Sequence, residues 1–327
     1  KVMAENAKSI IIINSAASWQ PEQQKTLADA LVLKSIMSII AVCEGKEHPP
    51  IICEIHSDRD RDLAQNISNG TVKALNEVSV LSRMIAQLAL SRNGLSVVYG
   101  DMVGFDGNEF YFFKPKEGWS KNLTFEESIN RFKSSTPMGI HTEEGKIILN
   151  PPKDKLINAD DELIIFAEDD STIKYFNKPV FSPTVNSIPK VNLDIRSQRV
   201  ALLNWTPKTK IIVEKLCSYL TKHSEIQVYV SSLLDEMENT KKSLADRYPD
   251  IKITIQSIDF NEIEDLENIN PKSFDSILIL SPGGATIEEM DAYVISLLIR
   301  IRQILLVKAD TKSKNYKWPK MITEVMD

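Results

Sequence analysis

Apolar positions along this chain follow two rhythms. Residues 9–14 and 51–55 are short isoleucine-rich runs, and Ile277-Leu278-Ile279-Leu280 is a third, stopped by Ser281-Pro282-Gly283-Gly284. Runs of this length that end at Gly or Pro read as buried strands of a parallel sheet. Long segments of helical period follow two of them. Residues 21–44 start behind Pro21, and residues 286–302 carry Ile287, Met290, Val294, Ile295, Leu298 and Ile299. Both helices place an Asp-Ala pair, Asp29-Ala30 and Asp291-Ala292, one turn ahead of a dense apolar face. Two related units far apart in one chain suggest a duplicated domain, against the alternative that all parallel α/β units look alike.

Taken in order, residues 1–104 read as strand–helix–strand–helix–strand–helix. Ser57 or Asp58 caps the second helix, and Asn93-Gly94 stops the third, residues 77–92. This is the second half of a doubly wound sheet, and no G-x-G-x-x-G turn of a first half occurs. Residues 95–104 form a short apolar helix between glycines. The face running through Leu81, Met84, Ile85, Leu88, Val98 and Met102 is wider than a surface helix needs, which predicts a pairing interface. The period then switches to two. Residues 105–172 read as a small β-rich lobe with strands at 109–113, 137–141, 146–149 and 162–167 and a helix at 124–132. Residues 173–198, with Pro179, Pro183 and Pro189, read as a linker. Residues 199–327 form a second Rossmann-like domain, with strands expected at 199–204, 226–230, 251–257, 276–280, 304–307 and 322–325. The predicted class is therefore α/β: two Rossmann-like domains, the first incomplete at its N-terminus, with the β-rich α+β lobe between them.

Composition narrows the function. The chain has 327 residues, 43% hydrophobic and 26% charged, enough for two globular domains. A net charge of −6 argues against a nucleic-acid surface. Cys43, Cys53 and Cys217 lie in apolar runs without paired spacing and read as reduced core residues of a cytosolic protein. No run approaches the roughly 18 apolar residues of a membrane span. An unclipped strand begins within ten residues of Lys1, without an initiating Met, so the chain is expected to be part of a longer protein.

Candidate chemistry is sparse. The turn after the strand at 199–204 is Trp205-Thr206-Pro207-Lys208, where a dinucleotide site needs glycine, so NAD is not expected in this stretch. Acidic clusters are the best ligand candidates. Glu168, Asp169 and Asp170 end the β-rich lobe, while Asp58, Asp60 and Asp62 follow a strand beside Glu54 and His56. Hard oxygen ligands suit calcium, against the alternative of solvated turns and helix caps. Asp29 and Asp291 either make a local structural hydrogen bond or face a crevice ligand. No Ser-His-Asp or Cys-His set can be assembled, so no enzyme is expected.

Several ordered stretches together resemble the cytosolic gating region of the CASTOR/POLLUX ion channels, which carry paired RCK (regulator of K+ conductance) domains. They are residues 7–14 with Ala28-Asp29-Ala30-Leu31; Gly104-Phe105 with Glu109-Phe110-Tyr111; Gly145-Lys146-Ile147-Ile148-Leu149-Asn150-Pro151; Asp160-Asp161-Glu162-Leu163-Ile164 with Ala167-Glu168-Asp169-Asp170; residues 274–280; Leu297-Leu298-Ile299-Arg300; and Ile322-Thr323-Glu324. The resemblance implies a non-catalytic gating ring of a cation channel, a homo-oligomer of four copies, and a transmembrane pore in the same polypeptide. It also implies a cytosol-facing position, potassium or another cation as cargo, and calcium as ligand. Residues 81–104 are similar to the helix–turn–helix by which such domains pair. Two departures stand out: Leu203-Asn204-Trp205 replaces the family's Cys-Gly-Trp, and Pro282-Gly283-Gly284 replaces an acidic loop. The alternatives are an NAD(H)-dependent oxidoreductase and a soluble nucleotide-binding regulatory subunit of a potassium transporter.

Overall fold

Strand β1 (Ile10–Ile12), helix α1 (Glu22–Val42), β2 (Ile51–Glu54), α2 (Asp58–Ile67), β3 (Val72–Leu75) and α3 (Glu77–Leu90) open the chain in the expected order. The computed structural model describes residues 4–43, 49–68, 70–91, 94–104, 107–181, 196–283, 286–307 and 318–325. Local chemistry sets the starts of these helices. The Ser57 hydroxyl accepts from the Asp60 amide at the head of α2, and Asn76 Oδ1 accepts from the Ser79 amide at the head of α3. Among the described residues, β1, β2 and β3 form one parallel sheet in that order. Val32 and Ile36 of α1 pack on Ile51, Cys53 and Val72.

Asp29 is fully buried at the carboxyl end of this sheet. Its carboxylate accepts from Asn14 Nδ2 (2.7 Å), the His56 amide (3.1 Å) and the Ser57 amide (2.9 Å). Of the two readings of Asp29, the structure takes the local structural hydrogen bond. A buried charge is tolerable when it is this fully bonded. His56 donates from Nε2 to the Ala16 carbonyl at 2.8 Å, so it too is a structural residue.

The middle of the chain is α4 (Leu95–Val103), β4 (Glu109–Phe113), α5 (Phe125–Ile129), β5 (Thr136–His141), β6 (Ile147–Leu149) and β7 (Glu162–Ala167). The four strands form an antiparallel sheet ordered β4-β7-β5-β6. Its core gathers Leu123, Phe125, Ile140, Leu163 and Ile165 around an aromatic group in which Phe132 meets Phe113 and Tyr175. The lobe runs past residue 172. The Phe176 amide donates to the Arg131 carbonyl and the Val180 amide to the Asn130 carbonyl. The linker expectation for 182–195 lies outside the described residues.

The rest is β8 (Arg199–Leu203), α6 (Pro207–Tyr219), β9 (Glu225–Val230), α7 (Asp235–Arg247), β10 (Lys252–Ser257), α8 (Ile263–Asn268), β11 (Ser276–Ile279), α9 (Ile287–Val307) and β12 (Lys320–Thr323). Among the described residues, five parallel strands lie in the order β10-β9-β8-β11-β12, the doubly wound arrangement. Side chains alternate along each strand. Val200, Leu202, Leu278 and Leu280 face α6 and α7, while Ala201, Leu203, Ile277 and Ile279 face α8 and α9. The strand expected at 304–307 is the last turn of α9. Val294, Leu297, Ile301, Ile304 and Leu305 are buried at helical spacing, so the apolar run extends the helix face. The edge strand is instead Lys320–Thr323, two residues ahead of its expected place.

Compactness divides the chain differently from the boundaries at 104 and 199. One unit is 1–91 with 195–327, and the other is 92–194. The reason is α3. Its Ser82, Ala86 and Ala89 are 0%, 1% and 2% exposed, and Ala86 and Ala89 enter the α6-side core of the five-stranded sheet. Ser276 Oγ donates to the Ala89 carbonyl (2.7 Å), and Lys320 Nζ donates to the Leu88 (2.9 Å) and Ser91 carbonyls. A buried hydroxyl and an ammonium thus satisfy the carbonyl end of the helix, where its dipole favours a cation.

Two stability predictions follow from these contacts. Asp29→Asn turns an amide NH2 toward backbone donors and is expected to cost about 2–4 kcal/mol in denaturant unfolding; a loss under roughly 0.5 kcal/mol contradicts the assignment. Glu225 bonds Lys252 Nζ (2.7 Å) and Arg199 Nε (2.9 Å). The Lys252 hydrogen bond, helped by Gln227 and Arg199 and opposed by burial, takes its carboxyl from 4.5 down to about 2. A depressed carboxyl stabilises above its unfolded value and loses that contribution as pH falls through the folded one. Glu225→Gln is therefore expected to lower stability by roughly 1–2 kcal/mol at neutral pH. The two proteins should converge as pH falls from 4.5 to about 2 in pH-dependent denaturation.

Candidate functional site at the strand ends

In the five-stranded sheet, β8 continues through α6 to one side and β11 through α9 to the other. The carboxyl ends of these neighbours form the topological switch point, where doubly wound sheets bind ligands. Asn204 makes the turn out of β8 in the left-handed region, at φ 78°. Asn tolerates that conformation better than other non-glycine residues. Its Nδ2 donates across to the Leu280 carbonyl (2.7 Å), and its Oδ1 accepts from Tyr293 OH (3.2 Å). A glycine here would turn as easily but could not tie the two strand ends together.

The start of α6 is capped by its own side chains. Pro207 has no amide proton to offer. Thr206 and Thr209 form a reciprocal capping box, and the Lys208 amide donates to Thr206 Oγ1 (3.1 Å). The donors that cradle a pyrophosphate in a dinucleotide site are thus used internally.

Beside it opens a crevice of about 150 Å³. Lys208, on α6, and Glu324, just past β12, line it and form an ion pair with both side chains 9% exposed. Trp19, Lys25, Val78 from the first turn of α3, Pro282 and Met290 also line it. Ser281 Oγ, at the rim of β11, is buried without a hydrogen-bond partner among the described residues. Lys25 pairs with Glu22 at 2.8 Å, a carboxylate that is 80% exposed. Spacing alone could not bring Lys208 and Glu324 together, and neither was a sequence candidate.

The sequence candidates lie elsewhere. Glu168, Asp169 and Asp170 are exposed at the end of β7. Asp169 caps a short 3-10 turn, accepting from the Ser171 hydroxyl and amide, and these bonds hold its carboxyl below the usual value. Asp58 pairs with Arg61, and the Asp60 amide bonds Ser57 in the first turn of α2, where acidic charge suits the helix dipole. Among the described residues, no group of three or more His, Cys, Asp or Glu converges as a metal site. His141 bonds Glu162 through Nδ1 (2.9 Å) and packs on Phe112. Cys43, Cys53 and Cys217 are buried free thiols, and burial pushes Cys53 and Cys217 up to about 11. Of the pairing residues, Ile85 packs on the core of this unit, while Leu81, Met84 and Leu88 are half-buried on α3. Part of the width of that apolar face therefore has a cover within the chain. Val98 is 48% exposed and Met102 partly exposed on α4, a helix with no buried residue.

Comparison with known proteins agrees with this architecture. Residues 78–181 match a family described as Castor and Pollux, part of voltage-gated ion channel. The ion channel CASTOR of Lotus japonicus is 29% identical over 319 residues, 93% of this chain and 35% of that protein. The probable ion channel POLLUX of Arabidopsis thaliana is 26% identical over 320 residues, 93% of this chain and 36% of that protein. The chain thus spans about a third of the length of these relatives. The human SLO3 gating ring shares the fold, with a TM-score of 0.56 at 14% identity over 98% of this chain and 69% of that one. No described helix is long and apolar enough to cross a membrane. Across 93% of its length, the chain is similar to the CASTOR and POLLUX ion channels.

Proposed function

We propose that this chain is the regulatory gating-ring part of a cation channel, non-catalytic, facing the cytosol and joined to a pore in the same polypeptide. One observation carries the reading: similarity to ion channels runs through 93% of the chain, and the same residues take the fold of a gating ring. In this reading four copies close a ring, and ligand binding moves it. Such a device needs no reactive group, only a ligand that binds one ring shape more tightly than another. The self-capped start of α6 speaks against the nucleotide-dependent alternatives.

Calcium is the proposed ligand, with Glu168, Asp169 and Asp170 as its candidate oxygens. Ser171 already bonds Asp169 Oδ1 through its amide and hydroxyl, so calcium there would compete with, or sit beside, the bonds that hold the turn at 170–172. The full coding region, reconstituted in vesicles, is expected to pass cations under calcium control. The triple variant E168Q/D169N/D170N should raise the half-activating calcium concentration at least about tenfold. An unchanged calcium response removes these three residues, and absence of cation flux overturns the channel reading.

Ring formation has its own test. Val98→Glu with Met102→Glu puts two charges on α4 without touching a buried residue. Light scattering of this chain should show the native mass falling toward the 36.9 kDa of one copy, with circular dichroism unchanged. An unaltered oligomer would sink the assignment of α4 to the interface.

A further inference from the structure

The switch-point crevice has a property that restricts what can enter it. Lys208 and Glu324 both line it, both are nearly buried, and each is the other's partner. Breaking a buried pair by engaging only one member leaves the other as an uncompensated buried charge, which is strongly unfavourable. A simple anion drawn to Lys208 would strand Glu324, and a simple cation drawn to Glu324 would strand Lys208. A ligand that carries both signs can part the two side chains and replace each partner. The surroundings fit such an exchange. Ser281 Oγ offers an unused hydroxyl. Lys25 brings a second ammonium whose bond to the exposed Glu22 is worth little. Trp19, Val78, Pro282 and Met290 supply an apolar wall. A volume of about 150 Å³ holds a benzene-sized body rather than a nucleotide.

We propose that this crevice binds a small zwitterion of free amino-acid size, its carboxylate on Lys208 and its ammonium on Glu324, with an apolar side chain against Trp19 and Met290. Lys25 and Ser281 then add donors to the carboxylate. Binding is read on this chain alone, so the site stands or falls separately from any coupling to ion flow.

The test is a panel of free amino acids offered to the 327-residue chain. At least one with an apolar side chain should saturate in calorimetry by roughly 10 mM and raise Tm by about 2–4 °C near saturation. Its N-acetyl form, which keeps only the carboxylate, and its methyl ester, which keeps only the ammonium, should each bind at least about tenfold more weakly. The variant K208M/E324L replaces the pair by apolar groups, a change that buried pairs often tolerate, and should keep the circular dichroism spectrum while losing the response. No binding by any amino acid overturns the proposal. So does equal binding of either blocked form on the unaltered chain, a result that does not depend on the variant folding.

Discussion

The docking of α3 against the five-stranded sheet is the constraint on which the larger unit depends. Strand order β10-β9-β8-β11-β12 places α6 and α7 on one face and α9 on the other. Among the described residues, the α6 face over β11 and β12 therefore has no helix from its own connections. An uncovered parallel sheet would leave apolar side chains such as Leu278 and Ile322 in water. α3, from far earlier in the chain, takes that position beside α6. Its small buried residues Ser82, Ala86 and Ala89 let the backbone come close, and Ser276 and Lys320 bind its terminal carbonyls.

That docking also builds the crevice. Val78, in the first turn of α3, forms part of its wall, and Trp19 and Lys25 come from the β1–α1 stretch carried with it. Neither the 1–91 segment nor the 195–327 segment holds the whole site. Asp29 helps from a distance, because it fixes the carboxyl end of the first sheet by binding Asn14, His56 and Ser57. A single buried carboxylate thereby sets where the chain emerges from β1 toward Ser18 and Trp19.

Much of this was legible in the sequence, and the misses have physical causes. Period-two and period-3.6 patterns located the strands and helices, because burial on one face leaves that rhythm in the residues. The Asp-Ala pair falls in a strand–helix–strand unit between neighbouring strands in both places, β1–α1–β2 and β11–α9–β12, a connectivity that parallel α/β units share generally. The partner of α3 was hidden because helix contacts are closest where side chains are small. The eye follows Leu81, Met84 and Leu88, while the deepest positions are a Ser and two Ala. The end of α9 was misread because Ile304, Leu305, Leu306 and Val307 form a run that serves a strand or a helix equally well, and only packing decides. Asn204 shows in the sequence only as a departure from the family's Cys-Gly-Trp, and a left-handed turn made by Asn does not declare the two strand ends that it ties.

The pair Lys208–Glu324 belongs to the same class of hidden feature, since 116 residues separate its members. It joins the head of α6 to the residue that follows β12. Glu324 is also fixed by its own backbone, whose amide donates to the Ile279 carbonyl at 3.2 Å. Lys208, in the first turn of α6, is held likewise through its amide on Thr206 Oγ1. Both α6 and β12 pack against α3. Any change in the spacing between them must be absorbed where α3 meets both, and packed cores accommodate such changes by discrete repacking more readily than by continuous strain. The crevice and the seating of α3 thus rest on one shared set of packing contacts.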